Sequence, residues 1–211
     1  MVKYNTCAEG ARRFSFFDKL TDRMQLWGMQ QNEITRIDGI SLANNRPHQK
    51  LIFQQTMEDS LRLVREHDPR RYARITKHFR WIYNCILRKG MDGMYCSSIR
   101  TCVVNFRWMP GADNDLMAAF YACILVHEST HGLIRARGIK YRREDRFRIE
   151  RLCFAEQNRF AARLAAAETA KYPLRLLYID FNDAFWKSFY GGPLRKSISR
   201  FSRLFSQAKA E

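Results

Sequence analysis

The sequence predicts an α+β fold, mostly helical, in which a small mixed or antiparallel sheet packs on two consecutive helices. Three observations lead there. The run Leu116–Val126 is almost wholly apolar, follows the capping cluster Asp113-Asn114-Asp115 and leads into His127-Glu128-Ser129-Thr130-His131. A strong helical pattern covers 148–164. Before both lie two short runs of strand character, Trp81–Leu87 and Ile99–Trp108.

The elements follow in order. Residues 1–50 are weakly patterned and read as an N-terminal arm or helix, in which Phe14-Ser15-Phe16-Phe17 and Leu20, Met24, Leu26 and Trp27 suggest packing on a core. Asn44-Asn45-Arg46-Pro47 is a loop. An amphipathic helix over 55–67 puts Met57, Leu61 and Val64 on one stripe. Asp68-Pro69 caps the next helix, with proline in its first turn. The two strands follow, separated by a turn at Gly90–Gly93, and Pro110-Gly111 ends the second. The apolar run then reads as a buried helix with the histidine motif in its last turns. A core of 51–172 is thus expected. After it, 173–211 forms an extension, aromatic over 174–190 and basic amphipathic over 194–208, that docks on its own domain or meets an anionic surface.

A chain of 211 residues with 46% hydrophobic and 13% aromatic content is globular and long enough to bury a core. No apolar stretch reaches the length of a membrane span, and the N-terminus lacks an apolar signal core. The six cysteines contain no C-x-x-C pair. They read as reduced core residues of a cytoplasmic protein, Cys123 and Cys153 among them, although both lie close in sequence to the motif residues.

The net charge is +16, from 37 basic and 21 acidic residues. Much of it lies between the two helices, at Arg135, Arg137, Lys140, Arg142, Arg143, Arg146, Arg148 and Arg151. Such a field attracts an anionic partner, whether nucleic acid, acidic protein or membrane surface, or else serves solubility alone.

The motif carries the chemistry. Histidines four residues apart on a helix face one way, so His127 and His131 can share one metal ion. Glu128 lies beside the remaining coordination position, where it can take a proton from a water. Zn²⁺ in such a site makes a nucleophile at neutral pH, and the usual chemistry is hydrolysis of a peptide or protein substrate. A third ligand is needed. Glu150 and Glu156 lie nineteen and twenty-five residues after His131. Each falls about 60° from Cys153 on opposite sides of one helix face, so helix geometry does not choose between them. Tyr141, in the intervening loop, is a candidate donor to a developing oxyanion.

His-Glu-x-x-His followed by Glu150 resembles the gluzincin branch of zinc metallopeptidases, in which a glutamate on a following helix is the third ligand. Arg148-Ile149-Glu150-Arg151-Leu152-Cys153-Phe154 is similar to a string in uncharacterised bacterial peptidase-like proteins, which also implies Glu150. By contrast, Glu156-Gln157-Asn158-Arg159-Phe160-Ala161 is similar to a string of phage-repressor-cleaving metallopeptidases and keeps Glu156 as the alternative. These resemblances cover roughly residues 95–165 and imply a minimal zincin-like domain, whose strand just before the motif helix offers its edge to an extended substrate. The metzincin pattern is absent, since residue 137 is Arg. SprT-like proteases combine such a site with nucleic-acid association, but their cysteine zinc ribbon is missing here. The other function left open is a nucleic-acid- or anionic-surface-binding protein whose metal site is regulatory or structural.

Overall fold

The computed structural model describes residues 16–87, 90–109, 111–142, 144–167, 171–172 and 174–182. The fold is α+β and mostly helical, with a five-stranded mixed sheet. Helix α1 (Phe16–Gln31) leads into strands β1 (Glu33–Ile37) and β2 (Ile40–Asn44). Helices α2 (Lys50–His67) and α3 (Pro69–His78) precede β3 (Trp81–Asn84), β4 (Gly93–Cys96) and β5 (Thr101–Val104). Helices α4 (Asn114–Ala136) and α5 (Arg146–Ala167) and the single turn α6 (Leu174–Leu177) complete the described chain.

The sheet runs β1-β2-β3-β5-β4. Strands β2, β3 and β5 are parallel, while β1 and β4 are antiparallel to their neighbours at the two edges. The β1–β2 hairpin turns on Asp38 and Gly39, whose φ angles of 46° and 82° are left-handed. An Asp-Gly pair tolerates such a turn, and its twist matches the strands it joins. This hairpin was not expected: residues 33–44 supply two of the five strands, so the sheet begins well before residue 50. The strand β4 also falls where only a turn was expected, because Gly90 to Gly93 mask its start.

Side chains alternate across the sheet. Ile40, Leu42, Ile82, Cys102 and Val104 face the main core with α2 and α4, whereas Ala43, Trp81, Cys96 and Ile99 form a second cluster with Met29 of α1. Helix α4 is apolar on every side over Leu116–Val126 because that part is covered on every side. It packs on α2, α3 and α5 and on strands β4 and β5. Its start is set by Asp113, whose side chain accepts from the Leu116 amide at 2.8 Å. The expected cap at Asp68 is equally present, accepting from the Arg71 amide at 3.2 Å. No helix among the described residues is long and apolar enough to cross a membrane.

The extension after residue 172 is described only to 182; its basic amphipathic stretch lies outside the described residues. Its first part is pinned to α5. The Asn158 side chain donates to the Ile179 carbonyl at 2.7 Å and accepts from the Ile179 amide at 3.0 Å. Phe181 stacks on Phe154 at 4.9 Å.

Candidate metal centre

The motif lies in the last turns of α4, as expected, with five helical residues still to follow His131, so helical backbone on both sides fixes its side chains. His127 and His131 project from one face and meet α5 across the packing seam. There the Nε2 atom of His127 lies 3.3 Å from one Glu150 carboxylate oxygen, and that of His131 lies 3.7 Å from the other. His127, Glu128 and Glu150 are all buried, at 7%, 6% and 5% exposure. Burial this deep without partners would be costly for all three, so each must be compensated.

The opposite ring nitrogens are also engaged. Nδ1 of His127 lies 3.2 Å from Gln157 Oε1, and Nδ1 of His131 lies 3.6 Å from Cys153 Sγ. Phe154 meets the His127 ring edge to face at 4.5 Å. Both imidazoles are therefore oriented by Nδ1 contacts, with their Nε2 atoms turned to a common point at Glu150. His127, His131 and Cys153 form a buried group whose ligand atoms lie within 4.8 Å of one another and that could hold a metal ion. Glu150 offers a second possible third ligand, and its carboxylate meets both Nε2 atoms, whereas the close contact of Cys153 is with Nδ1.

The titration of the site follows from burial and contacts. Burial would raise the Glu150 carboxyl, but hydrogen bonds from His127 and His131 hold it well below the ordinary carboxylate range. Burial pushes the Cys153 thiol up, which favours a neutral sulfur beside His131. Burial also raises Glu128, against the opposing charges of the two histidines and a hydrogen bond from the Tyr95 amide of β4. A carboxylate raised in this way is a better proton acceptor than one in water.

Close approach of β4 makes the Glu128 contact possible. A Cβ on Gly93 would lie 2.7 Å from Ile124 Cγ2 and 2.8 Å from Glu128 Oε1. Only glycine lets the strand lie this near the motif helix. The strand just before α4 is β5, and it is interior, flanked by β3 and β4. The sheet edge beside the motif is β4, which corrects the expectation that the strand preceding the motif helix supplies it.

The two glutamates left open by the sequence lie on different sides of α5. Glu156 faces α3, where it pairs with Arg71 at 3.1 Å and Arg74 at 3.0 Å and also with Arg159. It does not join the histidines. Tyr141 does reach the site: its hydroxyl donates to Glu150 and accepts from Arg146 Nε at 3.1 Å, and its ring packs on His131 at 5.7 Å. In this arrangement it serves Glu150 and not an open position beside Glu128. Burial is the main cause that raises its hydroxyl pKa, with the Glu150 charge adding to it.

Gln157 was missed in the sequence. The signal was available, since residues 150, 153 and 157 fall on one helical stripe. Cys123, close in sequence to His127, is a buried thiol pushed up to about 12 by burial alone. The described cysteines 85, 96, 102, 123 and 153 are all free, and Cys7 lies outside the described residues. Within the basic cluster, Arg135, Arg137 and Lys140 are exposed, Arg142 lies 3.9 Å from Glu144, and Arg146 packs over Tyr141 at 5.7 Å. Arg143 lies outside the described residues.

A scan against protein-family models found no match, and searches of the curated proteins and of the solved structures found none either.

Proposed function

We propose that the protein is a zinc-dependent metallopeptidase with a zincin-like core, in which His127, His131 and Glu150 hold the metal and Glu128 is the general base. The observation that carries this reading is the convergence of both Nε2 atoms on the Glu150 carboxylate, with Glu128 buried beside them under a sheet edge. Two nitrogens and a carboxylate oxygen are a donor set suited to zinc at a site that leaves one position open. Zinc held there supplies Lewis acidity and lowers the pKa of a water toward ~7.

The chain's own residues supply the rest. Gln157 and Cys153 fix the ring orientations of His127 and His131, a role whose loss weakens metal sites generally. Tyr141 and Arg146 hold Glu150 in place. Glu128, raised by burial, accepts a proton from a water and returns it to the leaving amine. The β4 edge has no strand partner on its outer side among the described residues, so an extended peptide can add to it beside Glu128. A purely structural metal site would have no use for a buried carboxylate held there at the cost of its desolvation.

The experiment is elemental analysis combined with hydrolysis of an unstructured protein. Wild type carries about one zinc per chain. His127→Ala, His131→Ala and Glu150→Ala lose it, while Glu156→Ala keeps it. Glu128→Gln keeps zinc and fold but loses activity by about a hundredfold or more, the usual worth of a positioned base. Full zinc retention in both histidine variants would sink the assignment.

A further inference from the structure

A cleft of about 630 Å³ opens on the far side of the α4–α5 pair from the histidines. Leu133 of α4 and Arg137 just past its end line it, and these positions face away from His127 and His131. Seven of its twelve lining residues are arginine or lysine and two are acidic, a surplus of five positive charges. The acids are already engaged. Asp68 pairs with Arg71 and with Arg163 at 3.1 Å, and Glu156 with Arg71, Arg74 and Arg159. Arg70, Lys77 and Arg137 meet no carboxylate among the described residues.

Beneath the lining lie three nitrogens without a partner. Arg71 Nε, Arg74 Nη2 and His78 Nε2 are buried without a hydrogen-bond partner among the described residues. His78 is only 7% exposed. Its imidazole is kept from charging by burial and by the nearby cations Lys77, Arg100 and Arg74. These three atoms have no surface open to the cleft, so an anion bound there would offset the surplus of cations in its lining and not satisfy them.

We propose that this cleft binds a compact, multiply charged phosphoryl anion of the oligophosphate class. Guanidinium forks match phosphoryl oxygens in geometry, and five surplus charges call for more than one carboxylate can supply. Compactness follows from size, since a concavity of about 630 Å³ between α3, α4 and α5 has room for an oligophosphate and not for a duplex. The site does not depend on the metal, and it uses cations of α3 that lie outside the basic cluster following the motif.

The test is calorimetric titration of the full, metal-free chain with tripolyphosphate at matched ionic strength. Wild type binds one per chain, saturably. The triple variant R70Q/K77Q/R137Q removes three exposed cations that hold no ion pair among the described residues, keeps the wild-type melting temperature and weakens binding by about tenfold or more. The control R135Q/K140Q/R142Q removes three charges elsewhere and leaves affinity within about twofold, as screened distant charges should. ATP bound more tightly than tripolyphosphate identifies a nucleotide as the source, and equal binding identifies the polyphosphate chain alone. Equal weakening by both triple variants, absence of saturable binding, or full competition by duplex DNA of equal phosphate content would overturn the proposal. Because the metal is absent throughout, none of these results bears on the peptidase reading.

Discussion

Cys153 and Gln157 follow Glu150 by three and seven residues, so one stripe of α5 presents a carboxylate, a thiol and an amide to the two histidines. Their contacts are with the Nδ1 atoms, which makes them orienting groups in the proposed site. Cys153→Ala and Gln157→Leu are each expected to retain zinc near one per chain while weakening its affinity by about ten- to a hundredfold, read by competition with a chelator. Complete loss of zinc from Cys153→Ala would make the sulfur a ligand and remove the case for Glu150. Glu156 works differently. Burial would raise its carboxyl, but the hydrogen bond from Arg74 and the charges of Arg71 and Arg159 hold it below the ordinary carboxylate range. A depressed carboxyl contributes stability above its unfolded value and loses it as pH falls through the folded value. Glu156→Gln should therefore cost about 1–3 kcal/mol at pH 7, where arginine donors are left unpaired. The gap from wild type in urea unfolding should narrow as pH drops below ~4.5. A gap that stayed constant with pH would contradict the ion-pair account.

At the scale of elements, the site depends on how near β4 lies to α4. A methyl group at Gly93 overlaps Ile124 and the Glu128 carboxylate, so Gly93→Ala must push the strand off the helix or turn Glu128 aside. The expected cost is about 1–3 kcal/mol in equilibrium unfolding, the usual price of overpacking. In the proposed enzyme activity should fall further than stability, because Glu128 is displaced even in folded molecules. Wild-type stability in Gly93→Ala would show that the strand and helix are not in such contact. Gly132 plays a similar part on the other side of α4, where a Cβ would lie 2.8 Å from Cβ of His78. Small residues at two seams thus let α4 sit close to β4 on one side and to the end of α3 on the other.

For the whole molecule, the proposed metal joins α4 to α5, two elements separated by the loop that carries Tyr141. A ligand that binds only the folded chain stabilises it, by about 2.7 kcal/mol when free metal is a hundredfold above its dissociation constant. For a chain of this size that corresponds to a rise in Tm of roughly 5–10 °C. Removing zinc by dialysis against a chelator should lower the melting temperature of wild type by that amount and leave His127→Ala unchanged. Equal shifts in both proteins would place the effect away from the histidines. The +16 charge is a property of this same scale. Some of its cations are engaged within the fold, as the arginines of α3 hold Glu156 and Arg146 packs on Tyr141, so the count of 37 basic residues overstates the cations free to meet a partner.

Some of this was written in local patterns that neighbouring residues settle among themselves. The caps at Asp68 and Asp113 each involve an amide three residues on, and both form as the sequence implies. The periodic stripe over 55–67 and the run Leu116–Val126 became α2 and the buried part of α4, and the four-residue spacing of His127 and His131 put both rings on one face. The β1–β2 hairpin was legible in Asp38-Gly39 but lay in a stretch with little hydrophobic alternation. Strand β4 was not legible, since a strand that begins in glycine gains its identity from the partner it pairs with. The choice between Glu150 and Glu156 shows the limit most plainly. Both sit at the same angular distance from Cys153, so nothing within α5 separates them. The neighbours do, because α4 presents imidazoles on one side and α3 presents guanidinium groups on the other. A helix's sequence fixes which residues share a face, and only the packing of other elements decides what each face meets.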